Sequence, residues 1–246
     1  RELARLGEKV PAHVHFLDLL HLSRPASARY NAARLAQLDD WLTALGGTRP
    51  APDAIARADA QLARQAALLD GLDLPGAQRL NLIARAATLC PEQALAELET
   101  VQSAPLPAGP RVYIAGSAHE GSEIYHAIET AGAGIVGENH PWGRRFLHGD
   151  TCPLRIDSAQ RLAQWTAQDV ARCAPDLVLH LSLDGDEAAP WDIAALKRAL
   201  PGNLRCEALR CRSAPDAATL DQLAALVAGR AEAPAPQDAV AALVKE

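Results

Sequence analysis

Two polar clusters mark where this chain could do chemistry. Ser117, His119 and Glu120 sit in the turn Gly116-Ser117-Ala118-His119-Glu120-Gly121, and Glu138, Asn139 and His140 stand together further on. An imidazole beside a carboxylate can hold a metal ion or exchange a proton near neutral pH. His119 and Glu120 are therefore candidate catalytic residues, with Ser117, Glu138 and His140 as candidate ligand contacts. No H-x-x-x-H or H-x-H spacing occurs in this region, so solvated loop histidines are the plain alternative to a metal. His13 and His15 do have H-x-H spacing, but they lie on or beside an apolar run, where packing is the simpler role. The turn lacks the G-x-G-x-x-G dinucleotide fingerprint. It leads into a helix, so its N–H groups could meet an anion, or its Ser and Glu could simply cap that helix.

Arg144 and Arg145 follow Trp142-Gly143. A guanidinium pair beside an indole can grip the phosphates of an acyl-carrier nucleotide, which makes Arg145 a further ligand-binding candidate; a solvated helix start is the alternative. Asp184, Asp186 and Glu187 form an acidic loop that either serves a site at the same sheet edge or caps the helix opening at Pro190-Trp191.

The elements that must position these residues alternate. Strand 111–115, helix 120–131, strand 134–137, helix 158–172, strand 176–182, helix 190–200, strand 204–208 and helix 215–229 follow in order, a pattern of parallel βαβ units covered on both faces. Ligands of such sheets sit outside the carboxyl ends of the strands, where both polar clusters fall. Before the proline-rich connector SAPLPAGP (103–110) the chain is mostly helical. Leu35, Leu38, Trp41, Leu42 and Leu45 form one apolar stripe, and Ile55, Leu62 and Leu69 recur at heptad spacing. Val14 to Leu19 reads as a short buried strand. The expected organisation is residues 1–25 as the end of an earlier structural unit, 26–110 as a helical segment and connector, and 111–246 as an α/β domain.

Composition narrows the function. The 246 residues are 49% hydrophobic, rich in alanine and leucine, and carry a net charge of −6. An acidic chain with scattered basic residues argues against nucleic acid or an anionic membrane surface as partner. No apolar run of about 18 residues is present to span a bilayer. The opening RELARLGEKV lacks the apolar core of a signal peptide, and a cytoplasmic location is expected. The chain opens at Arg1 and has no methionine, which fits either an amino-terminal piece lying outside it or methionines lost from it. Its five cysteines, Cys90, Cys152, Cys173, Cys206 and Cys211, have no framework spacing and read as free thiols.

Several stretches, taken in order, resemble the 2-hydroxyacyl-CoA dehydratase and benzoyl-CoA reductase subunit family. VHFLDLLHLSRPASARYNAARLAQLDDWLTALGG is similar to that family's strand, loop and Leu-rich helix, and Pro52 to Leu69 to its next segment. YIAGSAHEGSEIYHAIETAGAGIVGENHPWGRRF resembles its Gly-Ser turn, helix end and second strand. APDLVLHLSLDGDEAAPWDIAALKRAL is similar to its later strand and Trp-Asp helix start. The likeness runs from about Val14 to Gly229 as many weak matches. It implies two flavodoxin-like domains, the first mostly absent from this chain and left as the remnant of an earlier α/β unit at 1–25, the second at 111–246, with a homologous partner subunit and an acyl-CoA-type ligand. It also implies a [4Fe-4S] cluster, held by cysteines, that passes one electron to the thioester. This chain departs from the cysteine pattern: His119, Pro141 and Asp186 stand where relatives place thiols, and Cys152 is the one thiol near Pro141 in sequence. Thiolates hold such clusters, so the resemblance here implies a partner subunit, a non-catalytic scaffold, or an enzyme using His119 as general base or metal ligand without a cluster.

Overall fold

The computed structural model describes residues 14–20, 24–118, 121–141, 143, 159–212 and 215–229. His119, Glu120, Arg144, Arg145, Trp142, Cys152 and His13 lie outside the described residues. The chain divides into two compact units, 1–57 and 58–246, and the helical segment expected over 26–110 is shared between them.

In the first unit α1 spans Pro25–Ala44 and opens with proline at its first turn, where the missing N–H costs nothing. The sequence predicts a strand at Val14–Leu19, but no ladder forms over residues 14–20. Their polar groups turn to side chains of α1 instead. The Leu20 N–H donates to Asn31 Oδ1 at 2.8 Å, and Asn31 Nδ2 donates back to the Leu20 carbonyl at 2.8 Å. Tyr30 donates to Asp18 at 2.7 Å, and Arg34 pairs with the same carboxylate at 2.8 Å. The apolar stripe of α1 is real but open: Ser27 is its one buried residue among those described, and Leu35, Leu42 and Leu45 are about half exposed.

Helix α2 (Pro52–Gly71) runs across the division, and only its last turns, at Gln65, Ala66 and Leu69, are buried. In the second unit α3 (Gly76–Thr88) and α4 (Pro91–Leu98) pack Ile83, Ala86, Ala94 and Leu98 around Leu69. Arg85 grips Glu97 with two hydrogen bonds, at 2.8 and 2.6 Å.

The sheet carries β1 (Arg111–Gly116), β2 (Gly134–Asn139), β3 (Leu177–Leu183) and β4 (Arg205–Cys211), in the order β2-β1-β3-β4 with every pairing parallel. Helices α5 (Glu123–Thr130), α6 (Ala159–Cys173), α7 (Ala189–Ala199) and α8 (Ala217–Val227) alternate with these strands. This is the α/β parallel sheet flanked by helices that the alternation predicts, flavodoxin-like as the resemblance implies. Side chains alternate across the pleat. Val112 and Ile114 pack on α5, α8 and α3 through Ile124, Ile128, Leu223 and Leu80, while Tyr113 and Val178 pack on α6 and α7 through Val170 and Leu196. Ile114 and Leu179 are 0% exposed, each contributing about 1.5–3 kcal/mol of burial. Right-handed crossovers place α5 on one face and α6 and α7 on the other. The connections after β1 and β3 therefore leave to opposite faces, which makes their boundary the switch point of the sheet.

Candidate functional site

One irregularity decides which face the second polar cluster uses. Val112 pairs with Ile135, but Tyr113 pairs with Gly137, so β2 carries one extra residue at Val136. A bulge of one residue reverses the side-chain parity beyond it. Glu138 then shares a register position with Ile114 and turns to the α5 face. Without the bulge it would face α6.

There Glu138 meets Tyr125 of α5 and His140, which follows the strand. Tyr125 donates its hydroxyl proton to Glu138 Oε2, and Tyr125 Oη lies 2.7 Å from His140 Nε2. With the phenolic proton given to the carboxylate, the contact to His140 is completed by a hydrogen on Nε2. The imidazole Nε2 also lies 3.4 Å from Glu138 Oε2. Tyr125 and His140 are 0% exposed and Glu138 is 3% exposed. Burial by itself would raise the Glu138 pKa. The hydrogen bond and charge of His140, with the Tyr125 hydroxyl and the charge of Arg79 in α3, outweigh it and hold the carboxyl below its ordinary range. The phenol is pushed the other way, well above its ordinary value, by burial and then by the adjacent Glu138 charge. The trio is thus a neutral phenol bridging an ionised carboxylate and an imidazole, away from water.

The chain closes over this network at once. The Gly143 N–H donates to the His140 carbonyl at 3.1 Å, making a tight turn. A Cβ at Gly143 would lie 2.8 Å from His140 Nε2 and 2.9 Å from the Glu138 carboxyl carbon, so only glycine lets the turn sit this close.

Ser117 is placed differently. Gly116 ends β1 at φ +112, and a Cβ there would lie 2.0 Å from the Leu181 carbonyl oxygen. That approach brings the Ser117 N–H to Leu181 O at 2.8 Å. The Ser117 hydroxyl donates to Asp186 Oδ2 at 2.7 Å and accepts the Leu183 N–H at 3.0 Å. Asp186 Oδ1 accepts the N–H groups of Ala188 and Ala189, both at 3.1 Å, so the acidic loop caps α7. Asp184 is held by Arg210 at 2.7 Å. The structure therefore brings Glu138 and His140 together with Tyr125, and ties Ser117 to the loop after β3. All three predicted residues are buried. His119, Glu120 and Arg145 lie outside the described residues.

Pro141 and Asp186 stand at two positions where the family that the sequence resembles carries cluster cysteines. Pro141 offers no ligating side-chain atom, and Asp186 is committed to the α7 cap and Ser117. Cys211, at the carboxyl end of β4, has its thiol pushed up to about 11 by burial, as has Cys206. A protonated thiol is a poor ligand. Among the described residues no group of three or more His, Cys, Asp or Glu converges to hold a metal ion. These residues do not fit a thiolate-bound cluster.

Sequence reasoning missed Tyr125, which looks like one more core position of an amphipathic helix. It also passed over His180, buried in β3 at 2% exposure within a run that reads as pure core. Among the described residues no helix is long and apolar enough to cross a membrane. No protein-family model matches the chain, and no curated protein matches it.

Proposed function

We propose that this chain is a subunit of the 2-hydroxyacyl-CoA dehydratase and benzoyl-CoA reductase type. It binds an acyl-CoA-type ligand at the carboxyl edge of β1 and β2 and works in the cytoplasm with a homologous partner subunit. The observation that carries this reading is the parallel pairing of β1 with β2, which sets the carboxyl ends of both strands at one sheet edge, where α/β sheets take their ligands. His119 and Glu120, in the first loop, are the residues for proton transfer, and Arg145 is the residue for the nucleotide phosphates. Glu138 and His140 serve from beneath: with Tyr125 they fix the turn from which the second loop departs. Ser117 fixes the start of the first loop against β3. No step in this reading passes through an iron–sulfur cluster.

The test is titration of the full chain with a 2-hydroxyacyl-CoA, followed by the same titration of His119→Ala. The reading expects saturable binding that His119→Ala weakens, with thermal unfolding nearly unchanged, since a loop histidine has little packing to lose. Absence of binding to the parent chain overturns it, and an equal loss of stability in the variant makes His119 structural.

A second reading, a non-catalytic scaffold, is favoured by the half-exposed Leu35, Leu42 and Leu45 of α1. A stripe of that kind suits an interaction surface. Binding of a partner subunit without any affinity for acyl-CoA would favour it over the first.

A further inference from the structure

We propose that the exposed apolar side of α1, with the outer side chains of residues 14–20, is the surface through which this chain binds a second copy of itself. The inference does not rest on the thioester reading, and it concerns the unit 1–57 alone. Twelve large apolar residues stand exposed among those described, and ten of them fall in that unit. Within α1 only Ser27 is buried among the described residues, although a helix of this length takes most of its stability from a packed apolar face.

Residues 14–20 cover one side of α1 and run along it in the opposite sense. His15 packs by Trp41, with ring centroids 5.3 Å apart, and the Phe16 carbonyl accepts from Arg34. Asp18 then meets Tyr30, and Leu20 meets Asn31. Leu35 and Leu42 follow Arg34 and Trp41 by one residue, about 100° around the helix, so they border the covered side. Leu45, at the C-cap, comes about one turn after Trp41. Val14, Phe16 and Leu20 of the covering segment are themselves about half exposed. The apolar surface therefore continues from the side of α1 onto the segment that crosses it.

Area, shape and charge select a second copy as the occupant. Burying most of the ten side chains removes, at roughly half of about 100 Å² each, on the order of 400–500 Å² of apolar surface from each copy. Interfaces are a little over half apolar, so the contact covers about 700–900 Å² per copy, against about 800 Å² per partner in a standard stable interface. On a second copy the matching apolar surface is the same patch. Outside residues 1–57, Leu62 and Trp191 are the only exposed large apolar residues among those described. A patch that meets itself closes as a two-fold dimer. Charge permits the meeting. Residues 1–57 carry eight Lys or Arg and six Asp or Glu, so the net charge of −6 arises from 58–246. The carboxylates of α1 and of residues 14–20 are matched within the chain: Asp18 by Arg34 at 2.8 Å, and Asp39 and Asp40 by Arg49, both at 2.7 Å. Two acidic chains thus meet where like-charge repulsion is low.

The experiment is sedimentation equilibrium of the full chain between about 1 and 100 μM. The proposal expects a mass of twice 26.1 kDa within that range. Leu35→Glu and Leu42→Glu, made singly, put a charge into the contact at half-exposed positions and should weaken association about tenfold or more. Leu42→Ala, which adds no charge, should weaken it in the same direction should the Glu variants fail to fold. Amide exchange over 25–44 should be slower where the dimer prevails than where the monomer does. A monomer throughout overturns the proposal: fast exchange over 25–44 then leaves the patch to a different protein, and slow exchange leaves it covered by residues 58–246. A dimer unaffected by all three variants, or one whose exchange over 25–44 ignores concentration, overturns the surface. A mass that keeps growing beyond two copies overturns the two-fold contact.

Discussion

Replacing Tyr125 with Phe removes one oxygen from the buried network and nothing else. The ring stays, so no cavity opens, and the change isolates the hydroxyl that donates to Glu138 and lies 2.7 Å from His140. A hydrogen bond to a charged group is worth about 1.5–3 kcal/mol net, and stranding its buried partner keeps the cost near the upper part of that range. We expect a loss of about 2 kcal/mol at pH 7, or a fall in Tm of roughly 4–8 °C for a unit of this size. The acid limb should move as well. Glu138 has a folded pKa below its ordinary 4.5, so the stability it contributes is complete above that value and is lost as pH falls through the lowered folded value. Tyr125 is one of the groups that lower it, so in Tyr125→Phe the folded value lies nearer 4.5, and the acid-dependent loss should be smaller and complete at higher pH. Urea unfolding at pH 7 and across the acid range measures both effects. A double-mutant cycle with Glu138→Gln should show coupling above about 1 kcal/mol. A loss under about 0.5 kcal/mol at pH 7, together with an unmoved acid limb, would refute the buried network as described.

Gly143→Ala should cost about 1–3 kcal/mol by overpacking, because its Cβ would press on both His140 and Glu138; denaturant midpoints matching the parent would contradict the tight turn. Ser117→Ala should lose about 1–3 kcal/mol by removing the bridge between Asp186 and the Leu183 N–H, and an unchanged stability would return that hydroxyl to the ligand. In alkylation at pH 8 followed by mass spectrometry, exposed Cys90 should be modified well before Cys211. Burial raises the Cys211 thiol to about 11, leaving roughly one part in a thousand as thiolate at that pH. Equal rates would show that Cys211 is not packed as described.

The sheet was readable because its strands are unbroken β-rich runs such as Leu177-Val178-Leu179 between helices with clear apolar stripes, a local signal that tertiary context reinforces. The site was only half readable. Proximity of Glu138 and His140 follows from their spacing in one strand end, but the face they use depends on the extra residue at Val136, and nothing in GIVGEN marks a bulge there. Tyr125 could not be recognised as their partner because its helix reads equally well with Tyr125 as simple core. Ser117 was placed with the wrong neighbours in view: the close approach of Gly116 to Leu181 turns the chain toward β3, a long-range contact without a local signature. The run VHFLDL has strand composition, but a strand also needs a neighbour, and Asn31 and Tyr30 of α1 supply the hydrogen bonds to that segment instead.

The central claim is that ligand chemistry belongs to the carboxyl edge of β1 and β2. Amide hydrogen exchange read by mass spectrometry, with and without a saturating 2-hydroxyacyl-CoA, tests it most directly. The account predicts slowed exchange in peptides covering 117–123 and 138–143, with none over α1 at 25–44. Protection absent from that edge, or confined to α1, would contradict it.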